Sequence, residues 1–155
     1  MESRIQEAKA AREVRKTEIE AIKKESVEKR KEFVQKGLLE VLSVLESRTV
    51  RIKTMIANAG TRGVATTEAA TLLTEAKGHI AEAKTALATF TATPVATTDT
   101  KTVSAARTNA QAVHTHVKAT RESLVKSTQA LKKAIEATKA KTPAPIEPAI
   151  NTTTE

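Results

Sequence analysis

The sequence predicts an all-α protein: an elongated antiparallel three-helix bundle, coiled-coil-like, with a charged N-terminal helical extension and a disordered Pro/Thr-rich C-terminal tail. Three observations favour this class. Apolar residues recur at alternating steps of three and four, which is the helical period. Most of the glycines and prolines lie between or after these periodic stretches rather than inside them. Alanine, the best helix former, occurs 27 times.

Residues 1–33 are predicted to form the charged extension, continuous with the first core helix. Residues 2–36 contain 11 basic and 8 acidic residues and neither proline nor glycine. Because their apolar residues keep no steady heptad, we expect ion pairs or a partner to stabilise this stretch. Glutamate precedes lysine by four residues, the favourable direction, in the pairs Glu20–Lys24, Glu25–Lys29 and Glu32–Lys36.

Residues 34–141 are predicted to form the bundle, with helices at about 34–59, 66–91 and 98–141. The first helix carries a core stripe of Leu38, Leu42, Leu45, Thr49, Ile52, Ile56 and Ala59, widened by Val41 and Met55. We expect Gly60 to end it as a C′ residue, before the turn Gly60-Thr-Arg-Gly63. Residues 142–155 contain four threonines and three of the four prolines, and are predicted to be the disordered tail.

The second helix is expected to take Thr66 or Thr67 as its N-cap, and Pro94 is expected to terminate it. The third helix is expected to start at Thr98 or Asp99, with a seam that weakens at Thr120 and Ser127. The core stripe of the second helix is Ala69, Leu73, Ala76, Ile80, Ala83, Leu87 and Phe90. The third carries Val103, Ala106, Ala110, Val113, Val117, Thr120, Leu124, Ser127, Leu131, Ala134 and Thr138.

Composition narrows the function classes. The chain has no cysteine, so disulfides, thiolate nucleophiles and cysteine zinc sites are excluded. It shows no nucleophile elbow, phosphate loop or paired carboxylates in a predicted cleft, so we expect no enzyme, no cofactor and no small-molecule substrate. The longest apolar run, residues 37–45, is shorter than the ~20 residues that a transmembrane helix requires.

The three histidines are the candidate metal ligands. His114 and His116 lie two residues apart, about 200° around a helix, so they cannot hold one ion from one face. His79 lies next to the core residue Ile80. We interpret all three as residues that flank the core, and we predict no metal site.

Basic residues of the third helix suggest a polyanion-binding surface. The formal net charge is +8, which favours acidic partners. A solvated face that keeps an alanine-rich helix soluble explains the same pattern, and no aromatic residues interleave to stack bases. The candidate stripe consists of Arg107, Lys118, Arg121, Lys126, Lys132, Lys133 and Lys139.

A resemblance adds an expectation about location. Residues 44–52 (VLESRTVRI), 60–70 (GTRGVATTEAA) and 73–87 (LTEAKGHIAEAKTAL) carry it. In these motifs, and in the order of features across residues 12–140, the chain resembles uncharacterised, Ala/Lys/Glu-rich helical proteins of candidate phyla radiation bacteria. The resemblance implies an exported helical bundle and carries over no functional residues. Those proteins usually begin with a leader, whereas the residues that follow Met1 do not show the charged-then-apolar pattern of one.

Together these patterns predict a non-enzymatic structural or interaction protein. We expect the N-terminal helix to mediate self-association or to bind a protein partner, with polyanion binding by the third helix as the alternative. The cell envelope is the expected location if a signal peptide has been removed, and the cytoplasm otherwise.

Overall fold

The computed structural model describes residues 2–94 and 100–141, which form three helices and no strand. Helix α1 spans Glu2–Gly60, α2 spans Thr67–Ala92 and α3 spans Thr100–Lys141. The all-α class predicted from the sequence is therefore confirmed. The predicted tail at residues 142–155 and the predicted α3 start at Thr98 or Asp99 lie outside the described residues.

Contacts between α1 and α2 give their relative direction. Lys31 of α1 contacts Thr91 of α2, whereas Glu46 contacts Lys84 through an ion pair of 2.5 Å. Residue numbers therefore rise along α1 as they fall along α2. The first 23 described side chains of α1, residues 4–26, are all exposed, and Val27 is the first that packs partly against the core. Contact with the other helices thus begins within residues 1–33, which were predicted to form the extension.

Helices α2 and α3 pack more extensively on each other than either packs on α1. Thr93 near the end of α2 contacts Asn109, and Ala69 near its start contacts Ser127. The helices approach closely because small residues face each other. Ala76, Ala83, Val113, Thr120 and Ser127 are all 0% exposed.

The core lies along the stripes predicted from the sequence. All seven predicted residues of α2 are buried, and in α1 all but the half-buried Ile56 are. Two predictions were wrong. Met55 is 48% exposed because it lies at the edge of its stripe, beside a groove between α1 and α3. Val103 is 45% exposed because α2 ends near Asn109, almost two turns short of it.

Hydroxyl groups replace aliphatic side chains in the middle of α3 without leaving polar atoms unsatisfied. The Thr120 hydroxyl donates to the His116 carbonyl at 2.8 Å within α3. The Ser127 hydroxyl donates across to the Ala69 carbonyl of α2 at 2.7 Å. Among the described residues, no buried side-chain nitrogen or oxygen lacks a partner. Thr120 and Ser127 are therefore accommodated in the buried α2–α3 interface, where their small side chains let the two helices lie close together.

The connection between α1 and α2 differs in detail from the prediction. α1 ends at Gly60 as predicted, but the left-handed residue is Gly63, with φ of 77°. The chain reverses there, and the Val64 amide donates to the Ala59 carbonyl at 3.1 Å. Thr66 is the N-cap residue of α2 as predicted, although its hydroxyl makes no capping bond. No described helix has a stretch that is both long and apolar enough to cross a membrane.

Candidate functional site

The outer segment, which we define as residues 4–33 of α1, leaves large apolar side chains uncovered. Ile5, Val14, Ile19 and Ile22 are each more than half exposed, and Phe33 is 80% exposed. A patch of Ile22, Phe33 and Val34, with the stems of charged neighbours around it, forms a shallow depression on this helix. Nothing in the described chain packs on it.

Charge is segregated around the outer segment. Each residue of a helix advances about 100°, so side-chain directions follow from the continuous helix. All seven carboxylates fall within one arc of about 160°, and eight of the ten basic residues fall within the opposite arc. The acidic face is Glu7, Glu13, Glu18, Glu20, Glu25, Glu28 and Glu32. The basic face is Arg4, Lys9, Arg12, Arg15, Lys16, Lys23, Lys29 and Arg30.

The apolar residues are not distributed equally between these two faces. Ile5, Ile19, Ile22 and Phe33 lie on the basic face, whereas only Val14 lies on the acidic one. The basic face therefore combines positive charge with uncovered apolar surface. A surface of this kind is complementary to one that offers carboxylates and the methylene stems that carry them.

An ion pair and an anchoring lysine lie within the outer segment. Glu25 and Lys29 pair at 2.7 Å, as the spacing predicted. Their hydrogen bond and mutual charge lower the pKa of Glu25 and raise the pKa of Lys29. Lys31 donates to the carbonyls of Thr91 and Thr93, each at 2.6 Å, and lies 5.9 Å from the centre of the Phe90 ring. Lys31 thus stabilises the contact between α1 and the C-terminal end of α2, because a cation at that end offsets the helix dipole.

All seven residues of the predicted basic stripe lie at exposed positions of α3. The stripe is not purely basic, because Glu122 and Glu136 fall within the same arc of the helix. One of its members, Arg121, lines a groove of about 520 Å³ together with Arg48 and Arg51 of α1. The α1 arginines were not part of the predicted stripe, since only the packing of α1 on α3 brings them to it.

Two of the three histidines converge on one carboxylate, which the spacing within each helix did not reveal. Nδ1 of His79 and Nδ1 of His116 each lie 3.0 Å from Oε2 of Glu82. These three side chains remain 35%, 31% and 56% exposed, respectively, at the edge of the α2–α3 interface. The hydrogen bond from His79 is the main cause that lowers the pKa of Glu82, and the electrostatic interaction of Glu82 with His116 adds to it. His114 is exposed and takes no part in the cluster.

Sequence reasoning identified His79 and His116 as residues flanking the core, and both do lie at its edge. Their convergence was missed because it depends on the register between α2 and α3. A usable signal existed in the spacing of His79 and Glu82, three residues apart and therefore on one face of α2. Placing His116 beside them requires the pairing of the two helices.

No protein-family model, curated protein or solved structure matches the chain.

Proposed function

We propose that this chain is a non-enzymatic interaction protein whose outer segment associates with the outer segment of a second copy. The basic face of one copy would lie against the acidic face of another, with the exposed isoleucines and Phe33 packed between them. The observation that carries the proposal is the separation of charge on a helix whose apolar residues are uncovered. The outer segment of each chain carries both surfaces that this contact requires, the basic face and the acidic face.

The energetics favour an associated state for this helix. A helix without tertiary packing is only marginally stable in water. Over residues 4–26 none of the described residues of the chain covers α1, so about 34 Å of helix lies outside the core. Contact with a second copy would bury apolar surface and bring opposite charges together, and complementary charge also favours rapid encounter. Because the acidic and basic faces are different surfaces, the contact is heterologous, and repetition would build chains of molecules.

The proposed architecture that presents this segment is an elongated antiparallel three-helix bundle. The opposite directions of α1 and α2, and of α2 and α3, support it. We further propose the cell envelope as the location, supported by the resemblance to exported helical proteins.

A charge-swap experiment tests self-association. One variant reverses the basic face with Arg12→Glu, Arg15→Glu and Lys16→Glu. A second reverses the acidic face with Glu13→Lys, Glu20→Lys and Glu28→Lys. Sedimentation velocity at low salt should show association of the unmodified chain, loss of association in each variant alone, and recovery when the two variants are mixed.

A matched control carries the same change in charge elsewhere. Lys118→Glu, Lys126→Glu and Lys132→Glu on α3 should leave association intact. An unmodified chain that stays monomeric at high concentration and low salt contradicts the proposal. Binding to anionic vesicles that the basic-face reversal abolishes, with no self-association, would instead assign the basic face to a lipid surface.

A polyanion-binding surface on α3 is the second candidate. The observation that favours it is the groove that Arg121 lines together with Arg48 and Arg51, because three positively charged residues along one groove attract an anion. Retention on heparin should fall steeply with salt. It should weaken when Arg48, Arg51 and Arg121 become Gln, and weaken further with Lys126, Lys132, Lys133 and Lys139→Gln. Retention unchanged by both sets of substitutions would remove this candidate.

A further inference from the structure

A cluster at the edge of the α2–α3 interface carries the donor atoms of a metal site. His79 and Glu82 come from neighbouring turns of α2, and His116 comes from α3. The two Nδ1 atoms and the carboxylate oxygen all lie within 4.8 Å of one another. Each of these Nδ1 atoms is 3.0 Å from Oε2 of Glu82. Donors in a tetrahedral zinc site are about 3.3 Å apart, given metal–ligand bonds of about 2.0–2.1 Å.

We propose that His79, Glu82 and His116 bind a divalent first-row transition ion such as Zn²⁺, which links α2 to α3. Two imidazoles and one carboxylate form a borderline donor set that suits such ions better than Mg²⁺ or Ca²⁺. Three protein ligands leave at least one position for water. This site lies on different helices from the outer segment, so it does not depend on self-association.

The surrounding packing holds the ligands in place. His79 precedes the buried Ile80, and Glu82 precedes Ala83, which is 0% exposed. The carbonyl of His116 accepts the hydroxyl of Thr120, whose side chain is fully buried. The backbone at all three ligands is therefore fixed by the α2–α3 contact, and only side-chain torsions must change when an ion binds.

The ring geometry leaves room for an ion. The centroids of the two imidazole rings are 6.4 Å apart and their planes are inclined by 31°, so the rings are not stacked. About one third of each histidine side chain is exposed, which gives a hydrated ion a path from solvent. Binding requires both imidazoles in the tautomer that leaves Nδ1 unprotonated. The proton then resides on Nε2, and Glu82 exchanges its contacts with the two imidazoles for one metal bond.

Isothermal titration of the full chain with ZnCl₂, after removal of any affinity tag, tests the proposal. We expect binding of one ion per chain. His79→Gln and His116→Gln should each weaken it by at least about 100-fold, since changes even to groups behind the ligands cost 10–100-fold. Affinity should also fall as the pH is lowered, because protons compete for the imidazole nitrogens.

His114→Gln is the matched control, because it removes a histidine of α3 that does not belong to the cluster. It should leave the affinity unchanged. The partly exposed positions of His79 and His116 favour folded variants, and circular dichroism of each variant checks this. The visible spectrum of Co²⁺ bound to the unmodified chain gives a second measurement that requires no substitution, since nitrogen coordination at low coordination number intensifies the d–d bands.

The outcomes separate clearly. Absence of Zn²⁺ binding in the unmodified chain, and of any Co²⁺ spectral change, overturns the proposal and leaves a hydrogen-bonded His–Glu–His cluster. Equal affinity in the His79→Gln and His116→Gln double variant overturns it as well, because the ion is then bound elsewhere. Selective loss in the cluster variants, with His114→Gln unaffected, supports it.

Discussion

The outer segment of α1 and the α2–α3 interface are both long helical surfaces, but they differ in the size and exposure of their side chains. Between α2 and α3, small residues such as Ala76, Ala83 and Ser127 are fully buried and bring the two backbones together. On the outer segment, large apolar residues such as Ile22 and Phe33 lie among charged side chains and are exposed in the described structure. The first surface has its partner within the chain, whereas the second is the surface that we propose a second copy covers.

This difference predicts which substitutions affect folding and which affect association. Residues of the interface should change the free energy of unfolding of the monomer. Residues of the outer segment should change the concentration dependence of assembly and leave the unfolding of the monomer almost unaltered.

The largest effect is expected at Leu42, a core residue of α1 that is only 2% exposed. Leu42→Ala should lower the free energy of unfolding by about 3 kcal/mol, through lost burial and a residual cavity. Ile22→Ala, on the uncovered face of the same helix, should leave it within about 0.5 kcal/mol. Chemical denaturation at low protein concentration checks both. Comparable losses would contradict the division of α1 into covered and uncovered parts.

Overpacking gives the next largest effect. Ala83 is fully buried where α2 meets α3, so Ala83→Leu should destabilise the fold by about 1–3 kcal/mol as the helices are forced apart. Ala8→Leu makes the same chemical change on the basic face of the outer segment. It should spare monomer stability and strengthen association in sedimentation experiments. A tolerated leucine at position 83 would mean that the two helices are not in close contact.

Ser127 tests the cross-helix hydrogen bond. Ser127→Ala removes a buried donor to the Ala69 carbonyl and should cost about 1 kcal/mol in thermal or chemical unfolding. Thr128→Ala serves as the control, because the Thr128 hydroxyl bonds within its own helix, to the Leu124 carbonyl. If both variants lose the same free energy of unfolding, the hydrogen bond between α2 and α3 contributes no more to stability than one within a helix.

The smallest effects are expected at two glycines. A methyl group added at Gly78 would meet no atom within 4 Å, so Gly78→Ala should stabilise α2 by about 0.5–1 kcal/mol. Gly63 has a positive φ of 77°, so Gly63→Ala should destabilise the turn by about 1 kcal/mol. Differential scanning calorimetry should show melting temperatures that move in opposite directions. A lower melting temperature for Gly78→Ala would indicate a close neighbour at that position.

The structural features that were predicted correctly from the sequence are those that depend on a single helix. The α2 stripe from Ala69 to Phe90 is buried as its periodicity indicated, and the end of α1 at Gly60 is correct. Features that depend on two helices were missed, because periodicity gives the buried face of a helix but not its register against a neighbour. The meeting of His79 with His116 and the groove joining Arg121 to Arg48 are of this kind.

Local predictions failed where exposure depends on neighbours. Val103 continues the heptad of α3 but lies beyond the end of α2, so the heptad residue has little to pack against. In the turn, either glycine could have taken the left-handed conformation. Gly63 takes it because the helical hydrogen bonding of α1 continues through Gly60.

Hydrogen–deuterium exchange at two protein concentrations tests the central claim, that a second copy covers the outer segment. At low concentration, amides of residues 4–26 should exchange rapidly, while those of the α2–α3 interface are protected. At high concentration, protection should rise within the outer segment and remain unchanged in α2 and α3. Exchange of residues 4–26 that does not depend on concentration, or new protection confined to α3, would contradict the claim.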